Sequence, residues 1–236
     1  MPGIFITGTD TGIGKTFVTV AMINALRAQG VRVAGMKPVG SGADRINGKL
    51  YNEDALLIKQ AMGTSVDYDL INPYCFAPPV SPHIAAQQAG VEIRPAKIQQ
   101  HFQQLEQTFD LVLVEGVGGW LAPLSNELTV ADLAKQLCLP VIMVVGIRLG
   151  CLNHASLTAA AIRDSGMNFA GWIANDVQQD TQSAGEQLAY LRHRLRTPPL
   201  FEIKHHTTIS SSTEDEQKQI CLQLQNLILN VETNAQ

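Results

Sequence analysis

Residues 8–16 have the types and spacing of a phosphate-binding loop. They read Gly-Thr-Asp-Thr-Gly-Ile-Gly-Lys-Thr and follow the short apolar run 4–6. Such a loop wraps its backbone N–H groups around nucleotide phosphates, and the helix N-terminus behind it favours anions. Lys15 would then reach the terminal phosphates, and the Thr16 hydroxyl would hold Mg²⁺. The spacing therefore predicts a nucleotide-binding protein.

The loop departs from the usual pattern at its start. Thr9 stands where the usual loop has its first glycine, and the glycine lies one residue earlier, at Gly8. The related loops of partitioning and nitrogenase-type ATPases carry a second lysine five residues before the invariant one. This chain has Asp10 there, which counts against a switch ATPase.

A second lysine follows the second apolar run of the chain. Lys37 precedes the loop Pro-Val-Gly-Ser-Gly at 38–42, at the end of a predicted strand. A lysine at such a place is usually a solvated surface residue. Because this one faces a phosphate loop, we interpret it as a second cation in the same crevice as Lys15. Two such cations would stabilise negative charge on transferring phosphoryl or carboxyl groups.

Two carboxylates are candidates for the metal. Glu115 ends the apolar run 111–114 and precedes Gly-Val-Gly-Gly-Trp at 116–120, whose glycines let a ligand approach the backbone. Asp54 begins a predicted helix, where acids commonly complement the helix dipole. Mg²⁺ needs only one or two carboxylates beside phosphate oxygens. We therefore predict Thr16, Asp54 and Glu115 as its ligands.

Two further segments permit more than one interpretation. The loop before a predicted helix at Gly150, Cys151, Leu152 and Asn153 exposes N–H groups that suit a carboxylate, while Asn153 could equally be an ordinary N-cap. Asn175-Asp176 could recognise a base edge or could form a turn.

Strand-like and helix-like runs alternate along the chain. The predicted strands are Ile4–Thr7, Val31–Lys37, Leu111–Glu115, Val141–Gly146 and Phe169–Asn175. The predicted helices are Lys15–Gln29, Glu53–Met62, Pro95–Thr108, Val130–Leu137, Asn153–Ser165, Ser183–Arg196 and Glu214–Asn230. Continuous apolar strands between helices indicate an α/β fold of the P-loop NTPase kind, with a mostly parallel sheet and helices on both faces. Ligands of such sheets bind at the carboxyl ends of the strands.

Composition narrows the class of protein. The 236 residues are 45% hydrophobic and 16% charged, which favours one domain spanning 1–236 with a sizeable core. A net charge of −4 gives no reason to expect nucleic acid or an anionic membrane as a partner, and the longest apolar run is too short to span a bilayer. The four cysteines lack paired spacing, so we expect reduced thiols in a cytoplasmic protein.

Seven ordered motifs resemble the dethiobiotin synthetases, ATP-dependent ligases that close the ureido ring in biotin biosynthesis. The resemblance runs from about Ile4 to Asp176. Its motifs are Gly-Thr-Asp-Thr-Gly-Ile-Gly-Lys-Thr at 8–16, Lys-Pro-Val-Gly-Ser-Gly at 37–42, Asn-Pro-Tyr-Cys-Phe-Ala at 72–77, Ser-Pro-His-Ile at 81–84, Val-Glu-Gly-Val-Gly-Gly-Trp at 114–120, Leu-Gly-Cys-Leu-Asn-His-Ala at 149–155 and Gly-Trp-Ile-Ala-Asn-Asp at 171–176.

The resemblance implies a reaction. In that family 7,8-diaminononanoate captures CO₂ as a carbamate, whose oxygen attacks the γ-phosphate of MgATP. The second amine then closes the ring of the mixed carbamic–phosphoric anhydride, releasing phosphate and dethiobiotin. Each step builds negative charge near the γ-phosphate, which two lysines and a metal would stabilise.

The resemblance also implies roles for individual residues. Lys37 and Lys15 would be catalytic, Thr11 and Ser41 would contact the carbamate end, and Gly150–Asn153 would bind the substrate carboxylate across a homodimer interface. The expected ATP-binding residues are Gly12, Ile13, Gly14, Lys15, Thr16, Phe17, Asp54, Glu115, Gly116, Val117, Gly118, Asn175 and Asp176, with the last two at the adenine.

This chain departs from the family at two places. Many members have an acid where this chain has Gly12, and a proline usually follows the segment that ends at Ile203, where this chain has Lys204-His205-His206. Two alternatives stay open. A switch ATPase would carry the second loop lysine, and a cobyrinate-type amide ligase would carry a glutaminase domain for which 236 residues leave no room.

Overall fold

The computed structural model describes residues 3–178, 183–204, 218 and 220–224. The strands are β1 (Gly3–Gly8), β2 (Val33–Met36), β3 (Val39–Gly40), β4 (Asp44–Ile46), β5 (Lys49–Tyr51), β6 (Tyr74–Cys75), β7 (Leu111–Glu115), β8 (Val141–Ile147), β9 (Phe169–Asp176) and β10 (Glu202–Ile203). The helices are α1 (Lys15–Ala28), α2 (Glu53–Met62), α3 (Tyr68–Ile71), α4 (Pro82–Ala89), α5 (Pro95–Glu106), α6 (Val130–Leu137), α7 (Cys151–Asp164) and α8 (Ala184–Leu195).

A six-stranded parallel sheet forms the centre of the fold. Its strand order is β10-β9-β8-β1-β7-β2, and each neighbouring pair is parallel. Every residue of β1, β7 and β8 is buried, so helices must cover both faces of the sheet. The α/β class expected from the sequence is confirmed.

The sheet gathers three motifs at one edge. β1 lies between β7 and β8, and Ile6 pairs with Glu115 on one side and Ile142 on the other. Since all these strands run in one direction, the phosphate loop after β1, Lys37 after β2 and Glu115 at the end of β7 meet at the carboxyl edge.

The strongest sequence patterns gave correct element bounds. The predicted helices Glu53–Met62 and Val130–Leu137 and the strand Leu111–Glu115 match the structure residue for residue. α6 shows why its start was readable: the Thr129 side chain accepts from the Asp132 N–H while Asp132 accepts from the Thr129 N–H, a reciprocal capping box.

The start of α7 was predicted wrongly. The helix begins at Cys151 rather than Asn153, and its N-cap is Gly150 in the left-handed conformation, with φ 93°. Asn153 is therefore the third residue of the helix and not its N-cap. Residues 175 and 176 likewise lie within β9 and do not form a turn.

Several elements were absent from the sequence-based assignment. The loop expected between the second strand and α2 contains the antiparallel hairpin β4–β5, and β3 pairs with β6 in a separate small sheet. α3, α4 and β10 were also missed.

Only part of the last predicted helix can be compared with the structure. Residues 218 and 220–224 are helical, and the remainder of Glu214–Asn230 lies outside the described residues. In the part of the chain that the structure covers, we find no helix with the length and apolar character needed to cross a membrane.

Candidate active site

A pocket of about 410 Å³ opens at the carboxyl edge of the sheet. The phosphate loop, the loop after β2, the start of α2 and the loop after β7 line it. Its lining residues are Thr11, Gly12, Gly14, Lys15, Thr16, Lys37, Gly40, Ser41, Asn52, Asp54, Glu115, Val117 and Gly118. The structure thus brings together in one pocket eleven residues that the sequence assigned to the site.

Glycine is required at the end of the phosphate loop. Gly14 is the N-cap of α1 and has φ 81°, a left-handed conformation that costs other residues free energy. A Cβ at Gly14 would also lie 2.2 Å from Nδ2 of Asn175. That Nδ2 donates to the Ile13 carbonyl oxygen at 2.8 Å, so β9 holds the loop from behind.

Lys15 is folded back on its own loop. Only 7% of the residue is exposed, and Nζ donates to the Asp10 carbonyl oxygen at 2.9 Å. Burial, followed by repulsion from Lys37, lowers the pKa of Lys15 to about 8. A phosphate at the loop would supply the negative charge that this ammonium lacks.

The Asp10 side chain joins the phosphate loop to the loop before α7. Arg148 Nη2 donates to Asp10 Oδ2 at 2.6 Å, and both side chains are partly exposed. The position that carries a lysine in switch ATPases is therefore occupied here by one half of an ion pair.

Lys37 lies between the two carboxylates. Its Nζ is 2.9 Å from Asp54 Oδ2 and 2.5 Å from Glu115 Oε1, and the residue is buried. Burial alone would lower the pKa of Lys37, but Glu115 and Asp54 outweigh it and raise that pKa. Burial likewise opposes ionisation of Asp54, and Lys37 still lowers the Asp54 pKa. Lys37 is thus held as a cation inside the pocket wall.

Glu115 is fully buried and accepts hydrogen bonds on both of its carboxylate oxygens. Thr16 Oγ1 donates to its Oε1 at 2.8 Å, and Thr19 Oγ1 donates to its Oε2 at 2.8 Å. Thr19 was missed by the sequence reasoning, although it lies one helical turn after Lys15 and so faces the same strand end.

The oxygen atoms here suit Mg²⁺. A hydroxyl from Thr16 and carboxylates from Asp54 and Glu115 are the hard donors that Mg²⁺ takes together with nucleotide phosphates. Asp54 is the accessible one, with 42% of its side chain exposed, while Glu115 is enclosed. Among the residues described, no group of three or more His, Cys, Asp and Glu side chains could hold a metal on its own. Because Mg²⁺ needs only one or two carboxylates beside phosphate oxygens, the set fits a metal that arrives with a nucleotide.

Asn52 and Gly40 also line the pocket and were missed. Asn52 is the N-cap of α2, and its Nδ2 donates to the Ser41 carbonyl oxygen at 3.1 Å. An Asn directly before Glu53-Asp54 is a recognisable helix start, so this signal was present in the sequence.

The remaining predicted residues do not line the pocket. Ile13 and Gly116 are buried beside it, and Phe17 is half-buried on α1. Asn175 and Asp176 lie at the end of β9, where Asn175 is bound to the loop. The segment Gly150–Asn153 forms the first turn of α7, with Cys151 buried and Asn153 exposed.

The sheet, the loop and the clustered charges define a P-loop nucleotide-binding protein. Solved structures support this class through their fold alone. MinD of Aquifex aeolicus matches with a TM-score of 0.55 at 15% identity, covering 92% of this chain and 86% of that one. A ParA family ATPase of Chlorobium tepidum matches with a TM-score of 0.55 at 13% identity, covering 96% and 97%.

Sequence relatives identify the family. A family model described as an AAA domain matches residues 2–213. The ATP-dependent dethiobiotin synthetase BioD of Aromatoleum aromaticum is 49% identical over 201 residues, which is 85% of this chain and 89% of that protein. BioD 1 of Escherichia coli K12 is 46% identical over 199 residues, covering 84% and 88%. The chain belongs to the ATP-dependent dethiobiotin synthetase family and is an ATP-dependent ligase, as its motifs predicted.

Proposed function

We propose that this pocket converts 7,8-diaminononanoate, CO₂ and ATP into dethiobiotin, ADP and phosphate. The observation that carries the proposal is the placement of Lys37 beside a phosphate loop, where Asp54 and Glu115 hold it as a cation. The high identity to dethiobiotin synthetases supports the choice of reaction.

The phosphate loop binds the nucleotide in this proposal. Backbone N–H groups of Gly12–Thr16 surround the phosphates, and Lys15 leaves the Asp10 carbonyl oxygen to reach them. Thr16, Asp54 and Glu115 would hold Mg²⁺, which would supply positive charge beside the nucleotide phosphates. The Asn175 amide already donates to the loop, which leaves its Oδ1 to accept from the adenine amino group, with Asp176 beside it.

Lys37 stabilises the transferring group. A carbamate oxygen attacks the γ-phosphorus, the bond to the β–γ bridging oxygen breaks, and ADP leaves with that electron pair. The second amine then attacks the carbamate carbon, phosphate leaves, and the amine proton is lost to solvent. Negative charge concentrates on the phosphoryl oxygens in both steps, where a buried ammonium is most effective. Thr11 and Ser41 lie in the same pocket and orient the carbamate end.

The far end of the diamine substrate requires a second subunit in this proposal. The first turn of α7 at Gly150–Asn153 presents backbone N–H groups that suit the substrate carboxylate. Because this turn does not line the pocket of its own subunit, it would serve the pocket of a partner in a homodimer. We also propose that residues 1–236 act as one domain, since the buried apolar residues in the described part of the chain form one cluster.

The direct test measures phosphate release from MgATP with the diamine, with and without bicarbonate, and determines the mass of the product by mass spectrometry. We expect phosphate release that depends on both compounds and a product with the mass of dethiobiotin. A rate of ATP hydrolysis that does not depend on the diamine would reject the proposed reaction.

Replacing Lys37 tests its role. We expect Lys37→Ala to bind ATP normally and to lose about a hundredfold or more in kcat, since one charge-stabilising contact contributes about 3 kcal/mol. Lys59→Ala is the matched control, because Lys59 lies on α2 but does not line the pocket. Wild-type turnover by Lys37→Ala would remove that residue from the mechanism.

A further inference from the structure

The backbone of Lys37 is fixed on both sides by the end of α3. The Lys37 N–H donates to the Ile71 carbonyl oxygen at 2.9 Å. The Lys37 carbonyl oxygen accepts from Asn72 Nδ2 at 2.6 Å. Lys37 directly follows β2, so these two bonds set the direction in which its side chain leaves the sheet.

Tyr68 lies one turn before Asn72 and joins it to the start of α2. The Tyr68 hydroxyl donates to Asn72 Oδ1 at 2.9 Å and accepts from the Asn52 N–H at 2.8 Å. Tyr68 and Asn72 are 4% and 2% exposed, so water cannot readily replace these bonds. Burial raises the pKa of Tyr68, which keeps its hydroxyl protonated and able to donate.

Asn52 connects the Tyr68 hydroxyl to the start of α2 and to the loop that lines the pocket. As the N-cap of α2, its Oδ1 accepts from the Ala55 N–H at 3.3 Å, and its Nδ2 donates to the Ser41 carbonyl oxygen at 3.1 Å. Asp54 is the second residue of α2. The hydroxyl of Tyr68 therefore fixes the helix end from which the Asp54 carboxylate projects.

The contacts close into a ring. They run from the Lys37 carbonyl oxygen through Asn72, Tyr68 and Asn52 to the start of α2. The ring closes where Asp54 Oδ2 meets Lys37 Nζ at 2.9 Å. Neither Tyr68 nor Asn72 lines the pocket, and both are buried behind it.

We propose that Tyr68 and Asn72 are positioning residues that set the separation between the Lys37 ammonium and the Asp54 carboxylate during phosphoryl transfer. This inference rests on the proposed function, which assigns Lys37 to the phosphoryl group and Asp54 to the metal. A flexible lysine stabilises a transition state only when its ammonium is held in place, and a displacement of about 1 Å can cost about a hundredfold in rate.

Tyr68→Phe tests the inference because it removes only the hydroxyl. The ring of Tyr68 packs against Tyr51 in a tilted arrangement, with centroids 4.8 Å apart and an angle of 59° between the ring planes, and phenylalanine keeps that contact. We expect kcat to fall about tenfold while the KM for ATP stays within about twofold, because the phosphate loop is untouched.

Tyr74→Phe is the matched control. Tyr74 is 6% exposed, and its hydroxyl accepts at 2.9 Å from the N–H of Arg94, the N-cap of α5. Both substitutions remove a hydroxyl that accepts a hydrogen bond from the N–H of a helix N-cap residue, so we expect similar losses in melting temperature. Only Tyr68→Phe should lower kcat. Equal kcat losses, or no loss in Tyr68→Phe, would overturn the inference.

A double variant separates positioning from general destabilisation. If Tyr68 acts through Lys37, adding Tyr68→Phe to Lys37→Ala should change the remaining kcat by less than about twofold. Additive losses would contradict the inference. A normal kcat in Lys37→Ala would reject the proposed role of Lys37. If Lys37→Ala loses kcat but Tyr68→Phe does not, only the positioning role is rejected.

Asn72→Leu provides a second test that does not depend on Tyr68→Phe folding. It keeps the size of the side chain and removes both the amide that donates to the Lys37 carbonyl oxygen and the acceptor of the Tyr68 hydroxyl. We expect the same kcat loss with an unchanged KM for ATP. Wild-type kcat in a folded Asn72→Leu variant would overturn the inference.

Discussion

Lys15 and Lys37 share one pocket, yet their pKa values shift in opposite directions. Burial acts on both, but Lys37 contacts two carboxylates directly, whereas the nearest polar partner of Lys15 is the neutral Asp10 carbonyl oxygen. The pKa of Lys37 is raised, and that of Lys15 falls to about 8. Lys37 is therefore protonated with or without a nucleotide, whereas bound nucleotide phosphates would favour the protonated form of Lys15.

This difference predicts proton uptake when ATP binds. Phosphates favour the charged form of Lys15, so binding should raise its pKa from about 8 and draw in a proton above that pH. Affinity for ATP should accordingly weaken as the pH rises above 8, with little change below pH 7, where Lys15 is already protonated. Calorimetric titration at pH 8.5 in buffers of different ionisation enthalpy measures the uptake.

Lys15→Arg is the control for that titration. Arginine stays charged throughout this range, so the variant should bind ATP without proton uptake from this position. Equal uptake by the variant and the wild type would place the titrating group elsewhere.

Residue types revealed the charged groups of the site but not their supports. Lys15, Thr16, Lys37 and Glu115 could be predicted because each lies at the end of a strand, or in the loop and helix that follow one, in a recognisable local pattern. Tyr68 could not be found in that way, because its bonds to Asn52 and Asn72 depend on how α2 and α3 pack together. Partners that are distant in the sequence leave no local spacing pattern from which they could be predicted.

At the scale of elements, the phosphate loop depends on β9. The Asn175 amide reaches the loop because Gly14 has no side chain in its path. We expect Gly14→Ala to push this amide aside and to weaken ATP binding at least about tenfold, as measured by calorimetry.

Gly30→Ala provides a matched comparison. Gly30 has the same φ of 81°, but a Cβ there meets no atom within 4 Å. It should cost only the left-handed strain, about 1–2 kcal/mol of stability, and leave ATP affinity unchanged. If both variants lost ATP binding, the weaker binding of Gly14→Ala would be a result of global destabilisation.

The elements missed from the sequence had signals of different strength. The hairpin β4–β5 turns at Asn47-Gly48, a favoured two-residue turn, and α4 starts with Ser81-Pro82, a typical helix opening. Both could have been predicted. The pairing of β3 with β6 involves two residues in each strand and depends on the loop after Lys37 meeting the segment after α3. No periodicity can develop over so short a run.

At the scale of the whole molecule, α7 and the loop before it expose large apolar side chains. Leu149, in the loop before the helix, is 93% exposed, and Leu157 is 62% exposed. In the homodimer proposed above, these leucines would lie near the carboxylate-binding turn and would be covered by the partner subunit. We expect Asn153→Ala to raise the KM for the diamine more than the KM for ATP. An unchanged diamine KM would mean that the Asn153 side chain does not bind the substrate.

Mixed dimers test whether the sites are shared. Lys37→Ala and Asn153→Ala subunits, assayed at a diamine concentration at which each is weakly active alone, should regain activity when unfolded and refolded together. A heterodimer then holds one site with both substitutions and one with neither, so an equal mixture should reach about one quarter of wild-type turnover. Activity no greater than that of the separate variants would show that each site belongs to one subunit.

The strand order has a consequence for how the protein is made. β1 is synthesised first, yet both of its neighbours, β7 and β8, begin after residue 110. At 5–20 residues per second, a ribosome needs roughly 5–20 s to produce the first of them. During that interval the nascent chain carries an apolar segment without partners and a phosphate loop without support. We therefore expect ribosome-bound fragments that end before β7 to recruit chaperones and to lack affinity for ATP.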